Sequence, residues 1–361
     1  MTGLTVSWDA SEGFLTPTGV LARRARALPT VVGVSGHLTW LEAIVIGLVQ
    51  GVAELFPVSS LGHSVLIPAV LGGQWARDLD VSAPESPYLA FVVGLHVATA
   101  LAMIVYFWRD WMRILRGLAT SVARREIVDA DQRLAWRLVA ATIPVGLAGL
   151  VLDHAFRTLL ARPMPTAAFL LINGIVLIAV EEMANRRAEE PGASGSSASL
   201  DAPTTHLDAA PTEVLPRGAG LRTLVSEQER ADARLAAVPW VRAILVGSAQ
   251  ILALLPGISR SGVTIGAGLG ARLGHGDAAR FAFLLATPVI LAAGVLKLPD
   301  LLGPAGDGIR PQVLVGSLLS GVGAYLSVRF LTGYFEHRSM RPFGVYCIVA
   351  GAACLAWFTL M

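Results

Sequence analysis

Two apolar stretches, 40–71 and 240–272, are each about 32 residues long, and each carries a proline and a run of polar residues at its centre. A single membrane span needs only about 20 residues at 1.5 Å of rise per residue. The centres read ELFPVSSLGH, from Glu54 to His63, and LLPGISRSGVT, from Leu254 to Thr264. A break at membrane depth frees backbone polar groups that must face protein or water rather than lipid. Two short helices joined by a polar loop, entering and leaving on one side, satisfy that demand. The spacing therefore predicts two re-entrant hairpins, with a single kinked span as the alternative.

Six further apolar segments, at about 88–107, 136–153, 166–184, 279–298, 311–331 and 342–360, have the length of ordinary spans. Only 15% of the residues are charged, against about 25% in soluble domains. The two broken centres also resemble each other. Leu55 to Ser60 aligns with Leu254 to Ser259 at an offset of 199, and three spans follow each. A hairpin makes no net crossing and three spans make one, so the second copy sits upside down relative to the first. The expected fold is an all-α polytopic membrane protein. It is an inverted repeat of a re-entrant hairpin plus three transmembrane helices, with the site where the broken segments meet.

The domain reading follows. Residues 1–38 form an N-terminal extension, poorly ordered; Pro29 and Gly33 interrupt its apolar part too early for a signal peptide. Residues 39–185 form the first membrane repeat and 239–361 the second. The stretch 186–238, rich in Gly, Ser, Ala and Pro, reads as a disordered cytoplasmic linker. The loop after the span 88–107 holds Arg109, Arg113, Arg116, Arg124, Arg125, Arg133 and Arg137, and the positive-inside rule places it in the cytoplasm. The first hairpin then opens outward. Arg23, Arg24 and Arg26 would lie outside, against the rule, so the location of the N-terminus stays open. The net charge of +2 gives no case for nucleic-acid binding. Cys347 and Cys354 lie two helical turns apart, about 10.5 Å of rise, too far for a disulfide.

Ionisable residues inside apolar segments are costly and mark candidate sites. In the first centre they are Glu54 and His63, beside Gln50, Ser59 and Ser60. Gln50 and Glu54 are four apart and share a helix face. A carboxylate there can hold a divalent cation or accept a proton. His63 suits acid–base work, and Ser60 supplies a hydroxyl that is either a nucleophile or a phosphate donor. Ser59 reads as a helix cap. In the second centre Arg260 stands between Ser259 and Ser261, with Thr264 four residues beyond. A guanidinium fork, hydroxyls and free N–H groups at a helix start all suit phosphate oxygens. An acid–base half facing an anion-binding half points to phosphoryl chemistry on a membrane substrate. His96, in the span 88–107, either lines this site or makes a packing hydrogen bond.

Gln50-x-x-x-Glu54 followed by Pro57-Val58-Ser59-Ser60-Leu61-Gly62-His63 resembles the first signature of the undecaprenyl pyrophosphate phosphatases, the BacA/UppP family. Pro256-Gly257-Ile258-Ser259-Arg260-Ser261-Gly262-Val263-Thr264 resembles the second. The resemblance implies hydrolysis of undecaprenyl diphosphate to undecaprenyl phosphate and inorganic phosphate, which recycles the carrier for cell-wall polymers, and a link to bacitracin resistance. It implies a divalent cation, Mg²⁺ or Ca²⁺, held by Glu54 and Gln50, and a site open to the extracytoplasmic side. The implied catalytic residues are Glu54, His63 and Ser60. The implied diphosphate clamp is Arg260 with Ser259, Ser261 and Thr264. The expected partners are a polyprenyl diphosphate lipid and the membrane; the oligomeric state, a homodimer included, stays open. Where many members carry glutamate, this chain has Gln50, which can coordinate or orient but cannot exchange a proton.

Two other classes compete. A polyprenyl phosphate transporter or flippase would suit an inverted repeat equally well. The phosphatases related to phosphatidic acid phosphatase need a histidine close after the arginine, and the next one here, His275, is too distant. Whether Ser60, His63 or water attacks phosphorus is not decided by the residues alone.

Overall fold

The computed structural model describes residues 38–80, 87–189, 230–303 and 308–361. The proposed extension, apart from Leu38, and most of the proposed linker lie outside the described residues. Among those described, every regular element is helical. The chain runs through α1 (Trp40–Ala53), α2 (Ser60–Leu71), the short α3 (Gly73–Asp78), α4 (Pro87–Tyr106), α5 (Trp108–Arg124), α6 (Ala130–Leu160) and α7 (Pro163–Glu189). It resumes with α8 (Arg230–Ala237). Then come α9 (Trp240–Ser248), a 3₁₀ turn (Ala249–Leu254), α10 (Arg260–Gly270), α11 (His275–Leu302), α12 (Arg310–His337) and α13 (Arg341–Leu360).

Six helices, α4, α6, α7, α11, α12 and α13, are long and apolar enough to cross a membrane. Their outer faces carry large apolar side chains such as Leu150, Val151, Leu314 and Leu318, each about 70% exposed, as a lipid-facing surface requires. α1 and α2 are too short to cross and lie either side of the break at Glu54–Ser59. α9 with its 3₁₀ turn and α10 lie either side of the break at Leu255–Ser259. The all-α polytopic class with six spans and two broken segments is therefore the observed architecture.

The packing is reciprocal between the two halves. α1 packs on α12 and α9 packs on α6; α4 meets α11, and α7 meets α13. A pair of two-fold-related repeats produces such mated contacts. Small residues allow them. A Cβ on Gly47 would stand 2.6 Å from the Gly316 carbonyl oxygen, and one on Gly247 would stand 2.0 Å from that of Ala141. Close backbone approach of this kind holds membrane helices together where no hydrophobic driving force acts between them. Gly47 and Gly247 are 200 apart, not 199. The caps agree with 200: Ser59 Oγ accepts from Gly62 N–H and Ser259 Oγ from Gly262 N–H, each at 3.2 Å. The second centre has one extra residue between its proline and its cap. Gly257 absorbs it at a φ of +106°, with the Thr166 carbonyl oxygen 2.4 Å from where a Cβ would be.

Two expectations change outside the spans. The arginine-rich stretch after the first span is the helix α5, whose charged and apolar residues fall on opposite faces. Glycine- and serine-rich composition made 186–238 read as linker throughout, but α7 continues to Glu189 and Arg230–Ala237 is helical. Asp232 on α8 is buried in an ion-pair cluster. It bonds Arg280 at 2.9 Å and also Arg113, and both arginines reach buried Asp110, at 2.9 and 2.7 Å. Removing one member of a buried network leaves charge uncompensated. Asp232→Ala should therefore destabilise the fold by about 3 kcal/mol, measured as a lowered unfolding midpoint in detergent. An unchanged midpoint would mean that α8 is not a structural clasp.

Candidate active site

The two breaks meet. Ser261 Oγ donates to the Phe56 carbonyl oxygen at 3.2 Å, and Gly62 lies close against Gly257. Asn173, midway along α7, joins both tips: its Nδ2 donates to the Pro57 carbonyl oxygen at 3.2 Å and its Oδ1 accepts from Ser259 N–H at 3.0 Å. A side-chain amide that mimics the peptide group serves freed backbone on both sides at once. Its position inside an apolar run was the one signal in the sequence that could have marked it.

Beside the junction lies a cavity of about 510 Å³, within the usual size of a ligand site. Glu54, Ser59, Ser60, His96, Gln250, Ser259 and Arg260 form its polar end. Leu89, Val92, Leu150, Ile290 and Leu296 are among its apolar walls. It reaches the starts of α4 and the distal parts of α6 and α11, the ends opposite the arginine-rich α5 and the start of α6.

Glu54 closes α1 and is 7% exposed. Its Oε2 accepts from Gln50 Nε2 at 3.0 Å and from the Ser60 hydroxyl, and lies 3.4 Å from His96 Nε2. Arg260 Nη1 stands 3.9 Å from Oε1, beyond hydrogen-bond range, and is buried with no hydrogen-bond partner. Ser59 is held at a φ of +68°, uncommon for a residue with a Cβ. That turn starts α2 so that Ser60, its first residue, faces Glu54. An arginine with a spare donor thus stands beside a carboxylate that already holds a hydroxyl, both lining one cavity.

The sequence reading and the geometry part at three residues. His63 does not line the cavity: its Nδ1 donates to the Ser59 carbonyl oxygen and its Nε2 accepts from the Tyr346 hydroxyl, both at 2.7 Å, and its ring stacks on Tyr346 of α13. Ser261 is spent on the junction with Phe56, and Thr264 Oγ1 donates to the Arg260 carbonyl oxygen at 2.7 Å. Neither lines the cavity. The residues that do come together are Gln50, Glu54, Ser60, Ser259 and Arg260. His96, which the sequence left undecided, lines the cavity, with Nδ1 donating to the Val92 carbonyl oxygen at 2.8 Å. Gln250 was not singled out by its sequence context.

Fold and site together define a polytopic membrane protein with an arginine, a carboxylate and a hydroxyl gathered between two broken helices. The family model described as "Bacitracin resistance protein BacA" matches residues 43–353. The chain belongs to that family. It is 56% identical over 329 residues to the undecaprenyl-diphosphatase of Mycolicibacterium paratuberculosis, covering 90% of this chain and 99% of the relative. It is 51% identical to undecaprenyl-diphosphatase 1 of Frankia casuarinae, covering 89% and 98%, and 39% identical to the undecaprenyl-diphosphatase of Acidiphilium cryptum, covering 88% and 98%.

Proposed function

We propose that this protein is an undecaprenyl-diphosphatase that releases inorganic phosphate from the lipid diphosphate and returns the monophosphate carrier. One observation carries the reading: Arg260, whose Nη1 has no hydrogen-bond partner, and the Ser60–Glu54 pair stand at the polar end of one cavity whose other walls are largely apolar. The guanidinium takes the phosphate oxygens and the apolar walls take the prenyl chain. Ser60 already donates to Glu54, so Glu54 is the base that accepts its proton as Oγ attacks the terminal phosphorus. The bond from that phosphorus to the bridging oxygen breaks, and the lipid monophosphate departs with the electron pair. That monophosphate takes the proton from Glu54; the freed carboxylate then draws a proton from the water that cleaves the phosphoserine ester and returns it to Ser60 Oγ as it leaves. Arg260 and the Ser259 hydroxyl hold the charge that develops on the oxygens.

A divalent cation belongs to the same proposal. Among the described residues no group of three His, Cys, Asp or Glu could hold a metal alone. A hard cation that takes most of its ligands from phosphate and water needs only one or two protein oxygens. Glu54 and Gln50, whose Oε1 is buried without a partner, fit that requirement. Such an ion, when bound, neutralises phosphate charge.

The site opens to the extracytoplasmic side in this reading, because the cavity reaches the ends of α4, α6 and α11 away from the arginines of α5. Purified protein with polyprenyl diphosphate and magnesium should release phosphate. Transport of the intact lipid across vesicles without release would favour the flippase instead. In the same assay His96→Ala should lower turnover at least tenfold, the low end for a group in contact with the catalytic carboxylate. His63→Ala should cost less than that. The reverse order would return His63 to the reaction.

A further inference from the structure

Gln250 lies in the 3₁₀ turn Ala249–Leu254 at the polar end of the cavity and is 1% exposed. Neither its Nε2 nor its Oε1 has a hydrogen-bond partner, and among the described residues it is the one side chain with two such atoms. The repeat explains why. At the 200-residue offset that Gly47 and Gly247 share on the same side of the break, Gln250 is the counterpart of Gln50. Gln50 Nε2 donates to Glu54, four residues on, at 3.0 Å; four residues beyond Gln250 stands Leu254. The second half has the amide without the internal acceptor.

Leaving a buried primary amide with no protein partner for its donors and lone pairs is unfavourable. An apolar residue of similar size would fill the place without that penalty. The amide is explained if a ligand supplies the partner. Arg260 Nη1, unpartnered and lining the same cavity, shows what ligand chemistry is expected there: an anion with several acceptor oxygens. Lacking charge, an amide beside that guanidinium can share the anion without competing with it for Glu54.

We infer that Gln250 is a substrate-binding residue whose Nε2 donates to a phosphate oxygen of the bound diphosphate, completing with Arg260 a two-residue anion clamp. The identity of the anion rests on the phosphatase reading; the contact itself does not. Oε1 is left for a water in the bound state.

The test uses the full-length protein in detergent, as wild type, Gln250→Leu and Gln250→Glu. It has three readouts: phosphate release from polyprenyl diphosphate, calorimetric binding of inorganic pyrophosphate, and the unfolding midpoint without ligand. Gln250→Leu should raise KM and weaken pyrophosphate binding by roughly tenfold to a hundredfold, the worth of one hydrogen bond to a charged group. Its kcat should change less than its KM. The same variant should unfold at the wild-type temperature or above, because a buried unpaired amide has been removed. Gln250→Glu should bind more weakly than Gln250→Leu, through like-charge repulsion. Wild-type KM and pyrophosphate affinity in Gln250→Leu would overturn the inference, and so would a lowered unfolding midpoint, which would mean that the amide is satisfied in the free protein. A wild type that binds pyrophosphate but releases no phosphate defeats the phosphatase reading alone, and the pyrophosphate titration then decides the role of Gln250 by itself.

Discussion

Arg260→Ala should lower kcat/KM for phosphate release by about a thousandfold, the scale on which a lone arginine stabilises phosphoryl transfer. The reason is its surroundings. It lines the cavity beside Glu54, with which it makes a long ion pair of 3.9 Å, and its Nη1 has no hydrogen-bond partner, so donors remain for a phosphate. An alanine there leaves Glu54 facing the phosphates with much of its compensation gone, and substrate binding and turnover fall together. Arg260→Lys should recover part of the loss but not all of it, because a point charge replaces a planar fork. Kinetics on folded, monodisperse protein would check this. A change under tenfold in Arg260→Ala would remove the arginine from the reaction.

Glu54→Gln should be nearly as damaging to kcat, by about a hundredfold to ten-thousandfold, the range for loss of a positioned base, but with a different signature. The amide keeps the shape and still accepts from Ser60, yet it cannot take the proton. Removing its negative charge also leaves Arg260 without its carboxylate partner and more positive toward an anion. KM should therefore stay level or fall while kcat collapses, the pattern of an interaction needed in the transition state rather than the ground state. A raised KM with kcat intact would recast Glu54 as a binding residue. Pyrophosphate affinity, measured separately, should rise in this variant and fall in Arg260→Ala. That pair of opposite shifts would be hard to obtain from general misfolding.

His96 and His63 show where reading the sequence stops. Both are ionisable residues in apolar helices, and both were visible as such. His63 sits three residues from Ser60 in a recognisable motif and was the stronger candidate. Tyr346, 283 residues away, takes its imidazole instead. His96 had no motif around it, and α4 delivers it to Glu54. Asn173 and Gln250 are similar. Each is an ordinary amide in an apolar run until α7 and the 3₁₀ turn bring it to the junction. α5 and α8 escape the sequence for another reason: neither is a long apolar run, and their partners, Asp110 with Arg280 and Asp232 with Arg113, are distant in sequence.

The amino-acid order alone determined the membrane class, the two breaks and the chemical types gathered at them. Those follow from local quantities: the length of an apolar run against the bilayer, a proline that ends a helix, and the expense of a charge placed in lipid. Only the tertiary structure decided which of those polar groups share a cavity. That depends on which neighbouring helix each face packs against, and on the close backbone contacts at Gly47, Gly247 and Gly257 that set the two halves around one junction.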